Sequence, residues 1–201
     1  MQVEGRTVIL AAGDFPLAGT LGERILQSAQ RVICCDCAGD IYFEKTHRLP
    51  DLVVGDGDSL RGRFPAVERI AEQETNDLDK ALRVCAREGW SRPVVLGATG
   101  GRDDHTLGNL TRLMAEGVES VTNSGVFLPC RGEIRLELPI GSPLSIFSTD
   151  PTTRAESQGL EWPLGGVVFS NLYCATLNRV VASPVIIRST GLLSVYYPYE
   201  Y

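Results

Sequence analysis

Short apolar runs alternate with helix-patterned segments over the first 130 residues of the chain. The runs predicted to form strands are Thr7–Ala12, Arg31–Cys35, Asp51–Val54 and Pro93–Leu96. The segments with apolar residues at helical spacing are Leu21–Gln30, Asn76–Glu88, capped by Thr75 or Asn76, and His105–Glu116. Strands that alternate with helices are typical of βαβ units. This region is therefore predicted to be an α/β domain with a mostly parallel, helix-covered sheet.

The pattern changes after about Cys130. Glu133–Leu138 alternates strictly with period two, and no helical pattern follows it. The later predicted strands, separated by Gly, Pro, Ser and Asn, are Leu144–Phe147, Val167–Ser170, Val180–Ala182, Val185–Arg188 and Leu192–Tyr197. Such a series is typical of an all-β sandwich. We thus predict two domains, residues 1–130 and residues 131–201.

Composition narrows the classes of partner. The chain has 201 residues, is 43% hydrophobic and carries a net charge of −6, which disfavours broad attraction to nucleic acid or to an anionic membrane. No apolar segment approaches the length of a membrane span. The six cysteines lack paired metal-binding spacing, and Cys34 and Cys35 fit a buried strand as small apolar residues. With no secretory leader visible, these features predict a cytoplasmic protein.

Two acidic residues follow the third predicted strand. Asp56 and Asp58 are two positions apart, so an extended backbone directs both carboxylates to the same side. Ligands of open α/β sheets bind at the carboxyl ends of the strands, and Mg²⁺ prefers carboxylate oxygens. A solvated Asp-Gly turn explains the pair about equally well.

A third acidic residue, Asp77, lies in the first turn of the clearest predicted helix, where a carboxylate also favours the helix dipole. Taken alone, Asp77 is better explained as a structural residue. Lys80 lies three positions later and either faces the same cleft or is a solvated helix lysine.

A glycine-rich loop precedes the last predicted helix and reads Thr99-Gly100-Gly101-Arg102-Asp103-Asp104-His105. Two glycines at this place let the backbone approach a ligand and leave N–H groups for phosphate. Arg102 offers a planar fork suited to phosphate oxygens, and Asp104 either completes a metal site or orients His105. An ordinary strand-to-helix turn explains Asp104 but not the whole loop.

Three further residues, Gly13, Asp14 and Asp36, follow the first and second predicted strands and are candidates for lining a nucleotide site. The chain contains neither GxxxxGK[ST] nor GxGxxG, which disfavours a P-loop or dinucleotide fold. Clustered carboxylates repel one another unless a cation and a polyphosphate resolve the conflict. The residues therefore point to phosphoryl-type transfer.

Four stretches together resemble the thiamine pyrophosphokinases. They are Asp51–Ser59 with its GDxDS turn, Glu74–Leu82, Gly97–Asn109 with TGGRxDH, and Gly159–Leu164 followed by Ser170-Asn171. They occur in the family's order and cover nearly the whole chain. In this chain Gly57 replaces a larger apolar residue, and Asp36-Cys37 replaces a more usual Asp-Gly.

The resemblance implies transfer of a pyrophosphoryl group from ATP to the hydroxyl of thiamine, with release of AMP, by a homodimer with an α/β domain and a β-sandwich. It implies that Asp56, Asp58 and Asp77 hold Mg²⁺, with Asp104 nearby as a further metal ligand and Arg102 on the phosphates.

The remaining assignments concern the two substrates. The residues expected to bind ATP are Gly13, Asp14, Asp36, Lys80, Thr99, Gly100, Gly101, Arg102 and His105. By the resemblance, Ser170 and Asn171 line the thiamine site near the dimer interface, with Trp162 or Tyr173; Trp162 is equally well explained as a core residue.

Two observations from the residues also favour a dimer. A sandwich of about 70 residues forms a small core by itself. The apolar run Leu192–Tyr197 looks exposed and needs cover.

Two other functions fit the same residues. One is a different Mg²⁺-dependent, nucleotide-using transferase with a changed C-terminal pocket, and the other is a non-enzymatic regulator that binds nucleotide or thiamine compounds. Production of AMP from ATP and thiamine distinguishes all three.

Overall fold

The computed structural model describes residues 3–199, which divide into two compact units. The first unit contains the residues up to Leu110 together with Ser120–Asn123. The second contains Thr111–Glu119 and the residues from Ser124 onward.

The first unit is a mixed α/β structure. Its strands are Thr7–Leu10 (β1), Arg31–Cys35 (β2), Leu52–Gly55 (β3), Val67–Arg69 (β4) and Val94–Leu96 (β5), followed along the chain by Glu119–Val121 (β6). Its helices are Leu21–Gln27 (α1), Ala38–Thr46 (α2), Asp77–Arg87 (α3) and the beginning of Asp103–Glu116 (α4). The strand order is β5-β1-β2-β3-β4, and each of these four pairs is parallel. The predicted α/β alternation is confirmed, while coverage of both sheet faces by helices stays a prediction.

The helix α3 shows how local sequence determines an element. The side chain of Asn76 caps it by accepting the N–H of Asp79 at 2.9 Å, and Gly89 follows its end with a φ of 70°. The buried face contains Leu78, Ala81 and further residues at helical spacing. The predicted helix, and Asn76 as its cap, are confirmed because the capping and periodic signals agree.

Two elements of this unit give no clear sequence signal. The helix α2 buries Ala38, Gly39 and Tyr42, and small residues form no apolar stripe that the sequence reveals. The strand β4 is only three residues long, too short for alternation to identify it.

The second unit is rich in strands. They are Gly125–Leu136 (β7), Pro143–Phe147 (β8), Ala155–Gln158 (β9), Ala175–Arg179 (β10) and Val185–Pro198 (β11). The strand β11 pairs antiparallel with β7, β8 and β9, and β10 pairs with β8. Over residues 131–199 the structure contains no helix. A strand-rich C-terminal part is confirmed, while the two-layer packing of a sandwich stays a prediction.

The predicted boundary between residues 130 and 131 lies within β7, since Gly125–Cys130 belongs to the same strand, and a domain division at that point stays a prediction. Three strand predictions for this unit need correction. Val167–Ser170 is not a strand: short-range turns, including Ser170 N–H to the carbonyl of Val168 at 2.8 Å, use its backbone instead. The predicted strand Val180–Ala182 is not formed either, because Val180 makes only an isolated bridge with Leu160.

The third correction concerns the end of the chain. The two predicted strands Val185–Arg188 and Leu192–Tyr197 are one strand, β11, with an irregularity between Ser189 and Leu192. Leu193 and Val195 are fully buried, because β11 lies between β7 and β8. The run Leu192–Tyr197 is thus largely covered by its own unit, so it gives no argument for a dimer.

The cysteines behave as predicted. All six are free, and Cys34 and Cys35 are buried in β2. Burial raises the pKa of the Cys35 thiol well above its usual range, so this side chain acts as a small apolar residue. Among residues 3–199, none of the helices is long and apolar enough to cross a membrane.

Candidate active site

Three carboxylates meet at the carboxyl edge of the parallel strands. Asp36 follows β2, and Asp56 and Asp58 follow β3. One oxygen from each lies within 4.8 Å of the other two. The structure therefore brings Asp36, assigned above only to the nucleotide, together with two of the predicted metal ligands.

Asp36 is 4% exposed, and its environment fits a cation. Its Oδ2 accepts the N–H of Ser59 at 3.2 Å, whereas its buried Oδ1 has no hydrogen-bond partner within the described chain. Burial is the main cause of the raised pKa of this carboxyl, and the charges of Asp77 and Asp56 add to it. Because buried polar atoms are nearly always paired, the free oxygen points to a ligand.

The backbone holds Asp36 in this place. Its φ is 41°, in the left-handed region, and its N–H donates to the carbonyl of Val54 at 2.9 Å. A Cβ on Gly55 would lie 2.8 Å from the Cβ of Asp36. Only glycine at position 55 therefore allows the second and third strands to bring their carboxylates together.

The turn that carries Asp56 and Asp58 is held by its own hydrogen bonds. Asp56 Oδ1 accepts the N–H of Asp58 at 3.2 Å, and its Oδ2 accepts a bond from Gln73 Nε2 at 2.9 Å. The hydroxyl of Ser59 donates to Asp58 Oδ1 at 2.8 Å. The Gln73 bond is the largest cause of the lowered pKa of Asp56. Asp56 is consequently ionised at neutral pH.

Lys80 lies beside these groups and is only 2% exposed. Its Nζ is 3.0 Å from Asp77 Oδ1, and its charge also lowers the pKa of Asp56 slightly. The interpretation of Lys80 as a solvated helix lysine is thus wrong. A buried ammonium here offsets part of the negative charge of the carboxylates.

The loops after β1 and β5 are joined to each other. Asp14 N–H donates to the carbonyl of Thr99 at 2.7 Å, and Gly13 N–H donates to that of Gly97 at 2.9 Å. A side chain on Gly100, whose φ is 81°, would overlap the carboxylate of Asp14. The structure thus brings together four of the residues expected to bind ATP, and it requires glycine at position 100.

Arg102 and Asp104 bind each other. Arg102 Nε lies 3.1 Å from Asp104 Oδ1, and its Nη2 lies 2.6 Å from Oδ2, with both side chains largely exposed. Asp104 Oδ1 also accepts the N–H of His105 at 2.9 Å. The bond from Arg102 is the main reason why the pKa of Asp104 falls to about 2. Asp77 and Asp104 lie outside the three-carboxylate group, and their role as metal ligands stays a prediction.

Several supporting residues escaped the sequence analysis. Asn109 donates to the carbonyl of Ala98 at 3.2 Å and accepts a bond from Asn76 at 3.2 Å, linking the starts of α3 and α4. Asn123 donates to the carbonyl of Phe15 at 3.1 Å. Asn109 stands inside a quoted motif and was identifiable; Asn123 and Gln73 lie in no recognisable motif.

The four residues expected to bind thiamine lie on the surface of the second unit. Trp162 is 56% exposed and Tyr173 is 73% exposed, and Ser170 and Asn171 are exposed as well. The interpretation of Trp162 as a core residue is therefore wrong. Both rings are therefore accessible to a ligand or to another chain.

Local hydrogen bonds fix the backbone under these side chains. Asn178, which is buried, donates to the carbonyl of Trp162 at 2.7 Å and accepts its N–H at 3.2 Å. Asn171 Oδ1 accepts the N–H of Tyr173 at 2.8 Å. The amide oxygen of Asn171 is thus engaged, while its NH₂ group has no bond in the described chain.

Comparison with protein-family models decides the family. The model for "Thiamin pyrophosphokinase, catalytic domain" matches residues 23–122, and the model for "Thiamin pyrophosphokinase, substrate-binding domain" matches residues 125–196. The chain belongs to the thiamin pyrophosphokinase family. It is an enzyme of that family, whose members transfer a pyrophosphoryl group from ATP to thiamine.

Solved structures agree in fold with this assignment. The thiamin pyrophosphokinase from yeast matches with a TM-score of 0.78 at 13% identity, over 98% of this chain and 87% of the other. The protein from Geobacillus thermodenitrificans matches with a TM-score of 0.76 at 19% identity, over 96% and 97% of the two chains. That from Bacillus subtilis matches with a TM-score of 0.73 at 17% identity, over 98% and 100%. A search of curated protein sequences gave no match.

The two family models meet close to residue 123, where the first unit ends. The catalytic model ends at residue 122, next to the end of the first unit at Asn123, and contains the three-carboxylate group. The substrate-binding model contains Trp162 and Tyr173. Each model thus matches mainly one of the two units, although residues 111–119, which the catalytic model covers, belong to the second unit.

Proposed function

We propose that this enzyme transfers the pyrophosphoryl group of Mg²⁺–ATP to the hydroxyl of thiamine and releases AMP. The observation that carries the proposal is the meeting of Asp36, Asp56 and Asp58, with the buried Oδ1 of Asp36 unpaired in the described chain. Family membership supplies the two substrates, ATP and thiamine.

The three carboxylates would hold Mg²⁺, whose preferred ligands are oxygen atoms. When bound, the ion would offset negative charge on the phosphate oxygens. Asp77, held by Lys80, and Asp104 are further candidate ligands. The buried Asp36 fits this role best, since ionising it without a cation is costly.

The other residues of the first unit would position the nucleotide. The close contact between Asp14 and Gly100 would form one side of the nucleotide site. The N–H groups at the start of α4 would bind a phosphate oxygen. Thiamine's hydroxyl must lose a proton as it attacks. Asp77 and Asp104 are the two candidate acceptors of that proton, each already paired with a cation: Asp77 with Lys80 and Asp104 with Arg102.

The second unit would bind thiamine and pair with a second copy of the chain. Several of its large apolar side chains are exposed, namely Ile140, Trp162, Val168, Tyr173, Leu177 and Val181. Burying such side chains is favourable, so we propose that the unit is a two-layered sandwich that dimerises through this surface. Ser170 and Asn171 would supply hydrogen bonds to the aminopyrimidine ring.

The free cysteines favour a reducing compartment. All six lack a disulfide, and cytoplasm keeps thiols in that state. We therefore propose that the enzyme acts in the cytoplasm.

Incubating the purified chain with ATP, thiamine and Mg²⁺, and separating the products by chromatography, tests the proposal. Equal amounts of AMP and thiamine diphosphate are expected, with neither formed when Mg²⁺ or thiamine is omitted. Formation of ADP and thiamine monophosphate would show a different transfer. AMP formation only with some other acceptor would move the enzyme to another nucleotide-using reaction.

A further inference from the structure

We propose that Arg69 is a second phosphate-contacting arginine, which binds the polyphosphate of the nucleotide at the carboxylate group and is seated there by Gly57. The inference rests on the proposed function, because it takes a nucleotide at this edge of the sheet as given.

Arg69 lies at the same edge of the sheet as the three carboxylates. It is the last residue of β4, and its register partner is Gly55, the last residue of β3. Both strands are parallel, so Arg69 ends at the same edge from which Asp56 and Asp58 project. Its side chain is exposed, and Nη1 donates to the main-chain carbonyl of Asp56 at 3.2 Å.

Gly57 makes room for this arginine. Its φ is 78°, and a side chain at position 57 would overlap Nη1 of Arg69. Gly57 is also one of the positions at which this chain departs from the family pattern described above, in which a larger apolar residue is usual. The guanidinium of Arg69 therefore occupies the space that a side chain at position 57 would fill.

Arg69 also retains free hydrogen-bonding capacity. Other arginines of the first unit already bind carboxylates, Arg102 with Asp104 and Arg87 with Glu68. Over residues 3–199, Arg69 has no ion pair, and one main-chain oxygen is its hydrogen-bond acceptor. A guanidinium carries five N–H donors in a fixed fork that suits phosphate oxygens.

The negative charge of the three carboxylates favours a cationic side chain beside them. Asp36, Asp56 and Asp58 bring three carboxylates to one point, with Asp77 and Lys80 pairing next to them. A polyphosphate adds further negative charge, and a bound Mg²⁺ compensates only part of it. Arg69 stands at this place as an exposed positive charge that no carboxylate neutralises, whereas the fork of Arg102 must first leave Asp104.

Binding of two nucleotides by calorimetry separates a phosphate contact from a general effect. The probes are α,β-methylene-ATP with Mg²⁺, which cannot release AMP, and AMP, which lacks the β- and γ-phosphates. Arg69→Ala should weaken binding of the analogue by about tenfold or more and leave AMP within about twofold, as expected for losing a charge-assisted bond. Arg69→Lys should recover part of the loss. The control Arg87→Ala removes an exposed, ion-paired arginine that contacts β4 through Glu68 and should bind both probes normally.

Equal weakening of the analogue and of AMP, or no weakening of the analogue, would overturn the proposal. The proposal would also be overturned if Arg69→Ala bound the analogue normally at saturating Mg²⁺ but needed more Mg²⁺ to do so. That result would mean that Arg69 only holds the turn. These outcomes do not depend on which product the wild-type enzyme forms. Absence of AMP in the transfer assay, with normal nucleotide binding, would instead refute the proposed function.

A double-mutant cycle tests the pairing with Gly57. Gly57→Ala should weaken binding of the analogue because the methyl group displaces the guanidinium. In the Arg69→Ala background the same change should cost much less affinity. Full additivity of the two changes would show that Gly57 does not seat Arg69.

Discussion

Asp36 and Trp162 are both candidate binding residues, yet Asp36 is 4% exposed and Trp162 is 56% exposed. The carboxylate group of the first unit is formed by strand ends, a left-handed backbone at Asp36 and several hydrogen bonds at 2.8–3.2 Å within its turns. At Trp162, the two hydrogen bonds with Asn178 hold only the backbone, and the ring itself is largely exposed.

This difference separates two kinds of site. The first unit has built its site before any ligand arrives, so the energetic cost lies in bringing repelling carboxylates together. In the second unit, Trp162 and Tyr173 are exposed, and the thiamine site predicted there would have to cover them. Changes in the first unit should therefore alter chemistry and charge, and changes in the second should alter affinity for one substrate.

The largest effects are expected from the carboxylates of the first unit, Asp36 among them. Asp36→Asn should lower kcat by about a hundredfold or more, because a buried ligand of the cation loses its charge. The metal-free variant should melt at the same temperature as the wild type or higher, since one of several repelling charges is gone. Initial rates across a Mg²⁺ titration and a thermal melt measure the two quantities. Near-normal kcat at limiting Mg²⁺ would remove Asp36 from the metal site.

The same test applies to three further carboxylates, Asp56 and Asp58 in the turn after β3 and Asp77 at the start of α3. Asp56→Asn, Asp58→Asn and Asp77→Asn should each abolish turnover while the protein stays folded. If one variant keeps its activity at low Mg²⁺, that carboxylate does not hold the ion. A loss confined to Asp56 and Asp58 would favour the group of three carboxylates over the wider set.

Two neighbouring glycines test whether the site in the first unit is rigid in the absence of ligand. Gly100 and Gly101 both have positive φ, but only a side chain on Gly100 meets another residue, the carboxylate of Asp14. Gly101→Ala should cost about 1 kcal/mol of unfolding free energy from backbone strain, and Gly100→Ala about 2–3 kcal/mol. Urea denaturation measures both. Equal costs would mean that Asp14 moves aside freely.

In the second unit we expect a selective effect on one substrate. Asn171→Ala should raise the KM for thiamine, or lower kcat/KM for thiamine, by about tenfold, the value of one lost hydrogen bond. The KM for ATP should change little, and Arg102→Ala should show the reverse preference. Steady-state kinetics with each substrate varied provide the measurement. Equal changes for both substrates in Asn171→Ala would contradict a thiamine site in this unit.

The smallest effect is a pH dependence at Asp104. Its pKa is lowered from 3.8 to about 2, chiefly by Arg102, so the bond contributes stability above pH 3.8 that disappears as the pH falls through about 2. The difference in melting temperature between wild type and Asp104→Asn should be small, since both groups are exposed, and constant above pH 5. It should vanish between about pH 4 and pH 2. A difference that persists at pH 2 would contradict the ion pair.

Local signals in the sequence determined much of the first unit. The helix α3 could be predicted because Asn76 caps it, its apolar residues repeat at helical spacing and Gly89 ends it. Asp56 and Asp58 could be placed at the sheet edge because they directly follow an apolar strand. These features depend on neighbours within a few residues, which is the range over which backbone propensity acts.

Contacts between distant parts of the chain decided the rest. Asp36 joins the carboxylates because Gly55 admits it, Lys80 is buried because Asp77 pairs with it, and Arg69 reaches the turn because Gly57 lacks a side chain. In the second unit, Leu192–Tyr197 is covered because β11 lies between β7 and β8. Burial is a property of the packed chain, and the pattern of a single segment does not contain it.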